Sequence, residues 1–153
     1  MTSAWPDPYQ GSWVAWFGGY NDAQDKLTQL IQIPASVQDA QTLSFYLKVS
    51  TEENPNVAFD RLILRFLDAG GAPISADIPL ADNTTPMDWT YRSIPLTGLA
   101  SLADQDIQIQ FEGTTDVSNI TSFVLDVVSL NLTCGALSSV ENSTPQIIMM
   151  GHR

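Results

Sequence analysis

One carboxylate, Asp126, stands inside the most apolar run of the chain, SFVLDVVSL at 122–130, and few folds accommodate that. Strict alternation along this run puts Asp126 with Val124, Val128 and Leu130 on one face and Phe123, Leu125 and Val127 on the other. A strand apolar on both faces is expected at the centre of a sheet. A carboxylate placed there costs several kcal/mol unless a cation or several hydrogen-bond donors meet it. A second strand-like run, IQIQFE at 107–112, precedes it and is joined by the loop GTTDVSNIT at 113–121.

The period of two recurs along the chain. LSFYLKVS at 43–50 sets Leu43, Phe45, Leu47 and Val49 against Ser44, Tyr46, Lys48 and Ser50, the pattern of a half-buried strand. RLILRFLD at 61–68 alternates Leu62, Leu64 and Phe66 with Ile63, Arg65 and Leu67, and the Asn and Pro residues of TEENPNVAFD at 51–60 predict an antiparallel connection before it. SWVAWF, LTQLIQI, ISADIPLA, DWTYRSIPL and DIQIQFE complete a set of about eight strands. No window carries a sustained helical repeat, and prolines at 34, 55, 73, 79, 86 and 95 recur at strand-and-turn spacing. The expected class is all-β: a two-sheet antiparallel β-sandwich over residues 1 to 132. Residues 133 to 153, rich in Ser, Asn and Pro around a short QIIMM, read as a C-terminal tail, a linker or an extra edge strand.

Composition removes several functions. Seventeen acids against six bases give a net charge of −11, and the bases are scattered, which argues against a nucleic-acid backbone as partner. Cys134 is the only cysteine, so neither an internal disulfide nor a thiolate metal cage is available. No run of about eighteen apolar residues predicts a membrane span. The single histidine, His152, lies one residue from the C-terminus, which argues against Ser-His-Asp, Cys-His and His-metal chemistry. Phosphate-loop and dinucleotide fingerprints are missing as well. Glu52 or Glu53 with Glu112 is the one carboxylate pairing to weigh for glycoside hydrolysis, and no spacing favours it.

The order of signatures resembles a jelly-roll accessory module of secreted bacterial proteins, often attached to peptidases and akin to MAM-type and carbohydrate-binding β-sandwiches. The residues that carry the resemblance are WVAWFGG at 13–19, DKLTQLIQIPA at 25–35, LSFYLKVSTEE at 43–53, FDRLILRFLD at 59–68, Trp89, and FEGTTD with TSFVLDVVSL within 111–130. At 126–127 the chain has Asp-Val where such modules often have Asp-Asp. The resemblance implies jelly-roll topology and a non-catalytic binding or adhesion role in a larger protein at or outside the cell surface. A glycan or an extracellular protein is then the partner. The alternative is a structural or protein-interaction domain with no small-molecule ligand.

Three groups of residues are candidates for function. In a jelly roll of this kind Glu52, Glu53, Asp60, Asp116 and Asp126 gather at one end, where carboxylates, carbonyls and water supply the oxygen ligands of a structural calcium ion; the competing reading has them cap turns and face water. A polar face of Tyr46, Lys48, Arg65, Gln108, Gln110 and Glu112 supplies an aromatic ring with planar hydrogen-bonding groups, which suits a sugar, although any solvated sheet face shows the same alternation. The third group is aromatic. Trp13 or Trp16, and likewise Trp89, are expected in the core, whereas Trp5 and Tyr9, among prolines, are expected to be exposed, with Trp5 a ligand contact.

Overall fold

The computed structural model describes residues 6 to 135 and the backbone of 146 and 147. Nine strands run β1 Ala15–Gly18, β2 Gln24–Gln32, β3 Gln41–Thr51, β4 Arg61–Asp68, β5 Ile78–Asp82, β6 Met87–Leu96, β7 Asp106–Thr114, β8 Thr121–Asn131 and β9 Gln146–Ile147, with one 3-10 turn at Leu99–Leu102. The first sheet has the order β1-β8-β3-β6, and β9 pairs with β8 beyond β1. The second has the order β2-β7-β4-β5. Every pairing is antiparallel, and this order is that of a jelly roll. Among the described residues no helix is long and apolar enough to cross a membrane.

The alternating residues meet between the sheets. Leu43, Phe45, Leu47 and Val49 of β3 face Leu62, Leu64 and Phe66 of β4 and Ile107, Ile109 and Phe111 of β7 across the core. The Phe45 and Phe111 rings sit edge to face, with centroids 5.9 Å apart. Each such side chain contributes roughly 1.5–3 kcal/mol by leaving water, so this core supplies the main drive for the two sheets to close. From β1 it is Ala15 and Phe17 that enter this core. Trp13 is instead 61% exposed, and Trp16 is half-buried with its indole against Gly19, so neither tryptophan is the core residue expected.

The run around Asp126 departs from strict alternation. Along β3 and β8, Ser44 pairs with Ser129 and Tyr46 with Asp126, so Phe45 alone faces both Val127 and Val128, a β-bulge. The extra residue shifts the phase. Phe123 and Leu125 before it and Val128 and Leu130 after it all point into the core, while Val127 is 42% exposed. The expected grouping of Asp126 with Val128 and Leu130 is thereby corrected: Asp126 lies on the outer side. Val127 takes φ 51°, a left-handed conformation that a β-branched residue resists. Val127→Asn relieves that resistance and exposes little new apolar surface. We expect it to stabilise the fold by about 1 kcal/mol, seen as a melting temperature about 2–4 °C higher. A lower melting temperature would mean that the valine methyls matter more than the backbone.

Candidate functional site

The expected polar face divides between the two sheets. Tyr46 and Lys48 lie on β3 in the first sheet; Arg65, Gln108, Gln110 and Glu112 lie on β4 and β7 in the second. With the core between them, the two sets face opposite sides and form no common groove. The physical reason is the strand order, which period-two patterning does not contain. On the second sheet the polar groups satisfy one another. Arg65 makes paired bonds to Asp77 at 2.9 and 3.0 Å and an ion pair with Glu112, which Lys26 also approaches at 3.7 Å. Gln110 donates to Thr28 Oγ1 at 2.9 Å and Gln108 to the Ala69 carbonyl at 3.0 Å. The hydrogen bond from Arg65 holds the Asp77 carboxyl below the usual carboxylate range, and reciprocally Asp77 raises Arg65.

The outer face of the first sheet is different. Tyr46 on β3 pairs across the ladder with Tyr91 on β6, and their rings meet at a centroid distance of 5.5 Å. Tyr9, from the segment before β1, stacks on Tyr46 at 3.6 Å and 15°, and its other neighbour is Trp89 at 6.0 Å. Four aromatic rings thus join in one surface, in which Tyr46 is the half-buried hub, and Tyr9 and Tyr91 are 45% and 56% exposed. Trp89, expected in the core, belongs to this surface and is half-buried. Side-chain hydrogen bonding with Tyr9 raises the Tyr46 phenol above its usual pKa.

Charged groups border the aromatics. Lys48 pairs with Asp88 at 3.1 Å, and the backbone N–H of Trp89, followed by Lys48, holds Asp88 below the carboxylate range. Asp126 lies beside Tyr46, where Oδ2 accepts the Gln10 N–H at 2.9 Å and Oδ1 the Val127 N–H at 2.7 Å. Two backbone donors therefore answer the charge that the sequence left unexplained, and the Gln10 contact fastens the segment that carries Tyr9. Trp5 lies outside the described residues.

The acidic end assembles only in part. The loops 52–60 and 115–120 meet where the Glu52 N–H donates to the Ile120 carbonyl at 2.9 Å and the Asp116 N–H to Asp60 Oδ1 at 2.8 Å. Asp126 is opposite Tyr46, five residues along β8 from Thr121, or about 17 Å, and does not reach this end. Glu52 is exposed, and Asp116 caps its own turn through the Ser118 N–H at 2.8 Å. Among the described residues no three acid, His or Cys side chains form a metal-ligand group, so the five-carboxylate set is corrected.

Glu53 and Asp60 remain, and both are buried. Glu53 Oε2 accepts from the Asn54 N–H and Asn119 Nδ2, both at 3.3 Å; its Oε1, like Asp60 Oδ2, is buried without a hydrogen-bond partner among the described residues. Asn83 ties their surroundings together. It accepts the Asp60 N–H at 3.0 Å and donates to the Val57 and Asn54 carbonyls at 2.8 and 3.4 Å.

Comparison with solved structures places this architecture. TmCBM61, solved in complex with β-1,4-galactotriose, superposes with a TM-score of 0.55 at 16% identity, over 82% of this chain and 74% of that one. The chain shares the β-sandwich fold of that module. A CBM4 structure aligns with a TM-score of 0.46 at 20% identity, over 78% of this chain and 71% of that one. The enzymatically active domain of bacteriophage CBA120 tailspike protein 4 aligns at 0.46 and 17%, over 72% of this chain and 14% of that one. No family model and no curated protein sequence matches the chain.

Proposed function

We propose that this carbohydrate-binding-module-like β-sandwich is a non-catalytic glycan-binding module of a larger extracellular protein, and that it holds its ligand on the aromatic face of the first sheet. The observation that supports this reading is the linked set Tyr9, Tyr46, Trp89 and Tyr91, with Lys48, Asp88 and Asp126 at its border. A pyranose ring offers C–H faces to aromatic carbon and a belt of hydroxyls to charged and amide groups, and this surface presents both. β-1,4-Galactotriose, the ligand of TmCBM61, is the first probe. Tyr91→Ala, at an exposed position, is expected to weaken retention on a bound polysaccharide at least tenfold while leaving the melting temperature unchanged. Because stacking is not Coulombic, raising salt leaves retention nearly constant. Binding to no glycan, or retention indifferent to both Tyr91→Ala and Trp89→Ala, would overturn the reading.

A structural calcium ion is the second part of the proposal. Glu53 and Asp60 supply two carboxylates, each with a buried oxygen to spare. The Asn side chains and carbonyls of the same loops are neutral oxygen donors of the kind calcium accepts. This ion braces the loop end and takes no part in chemistry.

A specific observation also favours protein recognition at that end. Val57, Phe59, Val117 and Ile120 are exposed on the loops 52–60 and 115–120. A module of that kind shows no glycan retention and loses its partner with Phe59→Ser and Val117→Ser, which distinguishes the two readings in one pull-down series.

A further inference from the structure

Of the four rings on the aromatic face, three are carried by strands: Tyr46 on β3, and Trp89 and Tyr91 on β6. Tyr9 comes instead from the segment before β1. Its ring lies nearly parallel to Tyr46, 15° off, at a centroid distance of 3.6 Å, which is van der Waals contact, and so it covers one face of that ring. The position is the one a stacked sugar would take.

The same segment also occupies a neighbouring acceptor. Asp126 stands opposite Tyr46 in the β3–β8 ladder, and its oxygens accept the Val127 N–H at 2.7 Å and the Gln10 N–H at 2.9 Å. The first bond is made within β8 and stays with the sheet. The second is the one hydrogen bond that ties residues 6 to 12 to either sheet among the described residues. Tyr9 and Gln10 are both exposed, and Gly11 follows them with φ 73° and open space around it, a natural hinge.

We infer that residues 6 to 12 form a strap that closes the aromatic site, with the Tyr9 ring in the place of a stacked sugar and the Gln10 N–H in the place of a sugar hydroxyl. This rests on the reading of that face as the glycan site. Strap and ligand compete. A sugar that seats on Tyr46 displaces Tyr9, and Asp126 Oδ2 exchanges the Gln10 N–H for a ligand hydroxyl. A sugar laid on the far side of Tyr9 would rest on a ring with a single tether, whereas Tyr46 stands on a strand paired along both edges. The strap therefore lowers the apparent affinity by the fraction of molecules that are open.

The test applies the full chain as wild type, Tyr9→Ala, Tyr46→Ala and the double variant to an array of neutral oligosaccharides that includes β-1,4-galactotriose, with binding kinetics measured on each glycan that retains protein. Tyr9→Ala is expected to bind at least fivefold more tightly than wild type. The gain lies in the association rate and leaves dissociation unchanged, because the strap makes no contact in the bound state. Tyr46→Ala removes the gain in the double variant. Tyr9 is exposed and outside every strand, so its truncation leaves the fold intact. Weaker binding by Tyr9→Ala would make Tyr9 a ligand contact and overturn the strap while leaving the glycan site standing; equal binding, or a gain confined to dissociation, overturns the strap in the same way. Retention of neither wild type nor Tyr9→Ala on any glycan overturns the site and the strap together.

Discussion

Calcium is expected to raise the melting temperature of this protein by about 5–10 °C over the same protein in excess chelator. A ligand at a hundred times its dissociation constant stabilises the native state by about 2.7 kcal/mol, and each kcal/mol moves the midpoint of a domain of this size by about 2–4 °C. The expected effect originates in Glu53 Oε1 and Asp60 Oδ2, which among the described residues are buried without a hydrogen-bond partner. An unmatched buried carboxylate oxygen costs energy that water at the surface would have supplied, and a bound cation offsets that cost. Magnesium serves less well, because it holds its waters and demands a tight octahedron. Asp60→Asn gives the sharper test because its sign depends on the ion. The amide keeps one oxygen for the Asp116 N–H and removes the charge. The variant therefore melts at or above wild type in chelator, melts below it in calcium, and shows no calcium response of its own. A wild-type melt indifferent to calcium would remove the ion from the proposal and leave the two oxygens to ordered water.

The strands were legible because a half-buried antiparallel strand writes its two faces into alternate residues. RLILRFLD coincides with β4, and LSFYLKVS lies within β3. What alternation cannot encode is which strands share a sheet. That is why Tyr46 and Arg65, each on a correctly recognised strand, end on opposite sides of the molecule. The bulge at Val127 was equally hidden, since a β-branched residue gives no sign of a left-handed backbone. Its effect was to turn Val128 and Leu130 into the core, away from the face that Asp126 shares with Val124. The aromatic surface left a signal that went unused. In DWTYRSIPL the residues Trp89 and Tyr91 are two apart and so lie on one face, while Arg92 and Ile94 lie on the other. The tyrosine at position 9 offered no such sign, because it joins the surface from a segment outside any strand.

Gly18→Ala is expected to cost about 3 kcal/mol or more, a large share of the roughly 5–15 kcal/mol that holds a domain of this size together. Gly18 ends β1 with φ 75°, where an alanine is already strained. The added methyl also runs into the Thr121 carbonyl oxygen, which is backbone and cannot swing away. That carbonyl accepts the Gly19 N–H at 2.8 Å, and the Gly18 N–H itself donates to the buried Asp25 carboxylate at 2.9 Å. Asp25 in turn receives the Tyr20 hydroxyl at 2.9 Å, so one methyl disturbs the edge of the first sheet and the turn into β2 together. Gly71→Ala is the control. Its φ of 90° carries a comparable backbone strain, but open space surrounds it, and its cost is expected to stay near 1–2 kcal/mol. Urea unfolding of both variants separates the two contributions: the difference between them measures the collision with Thr121, and equal midpoints would show that β1 is free to shift away from β8. In that event the strap that brings Tyr9 onto Tyr46 is not anchored through β1, and the Gln10 contact with Asp126 holds it alone.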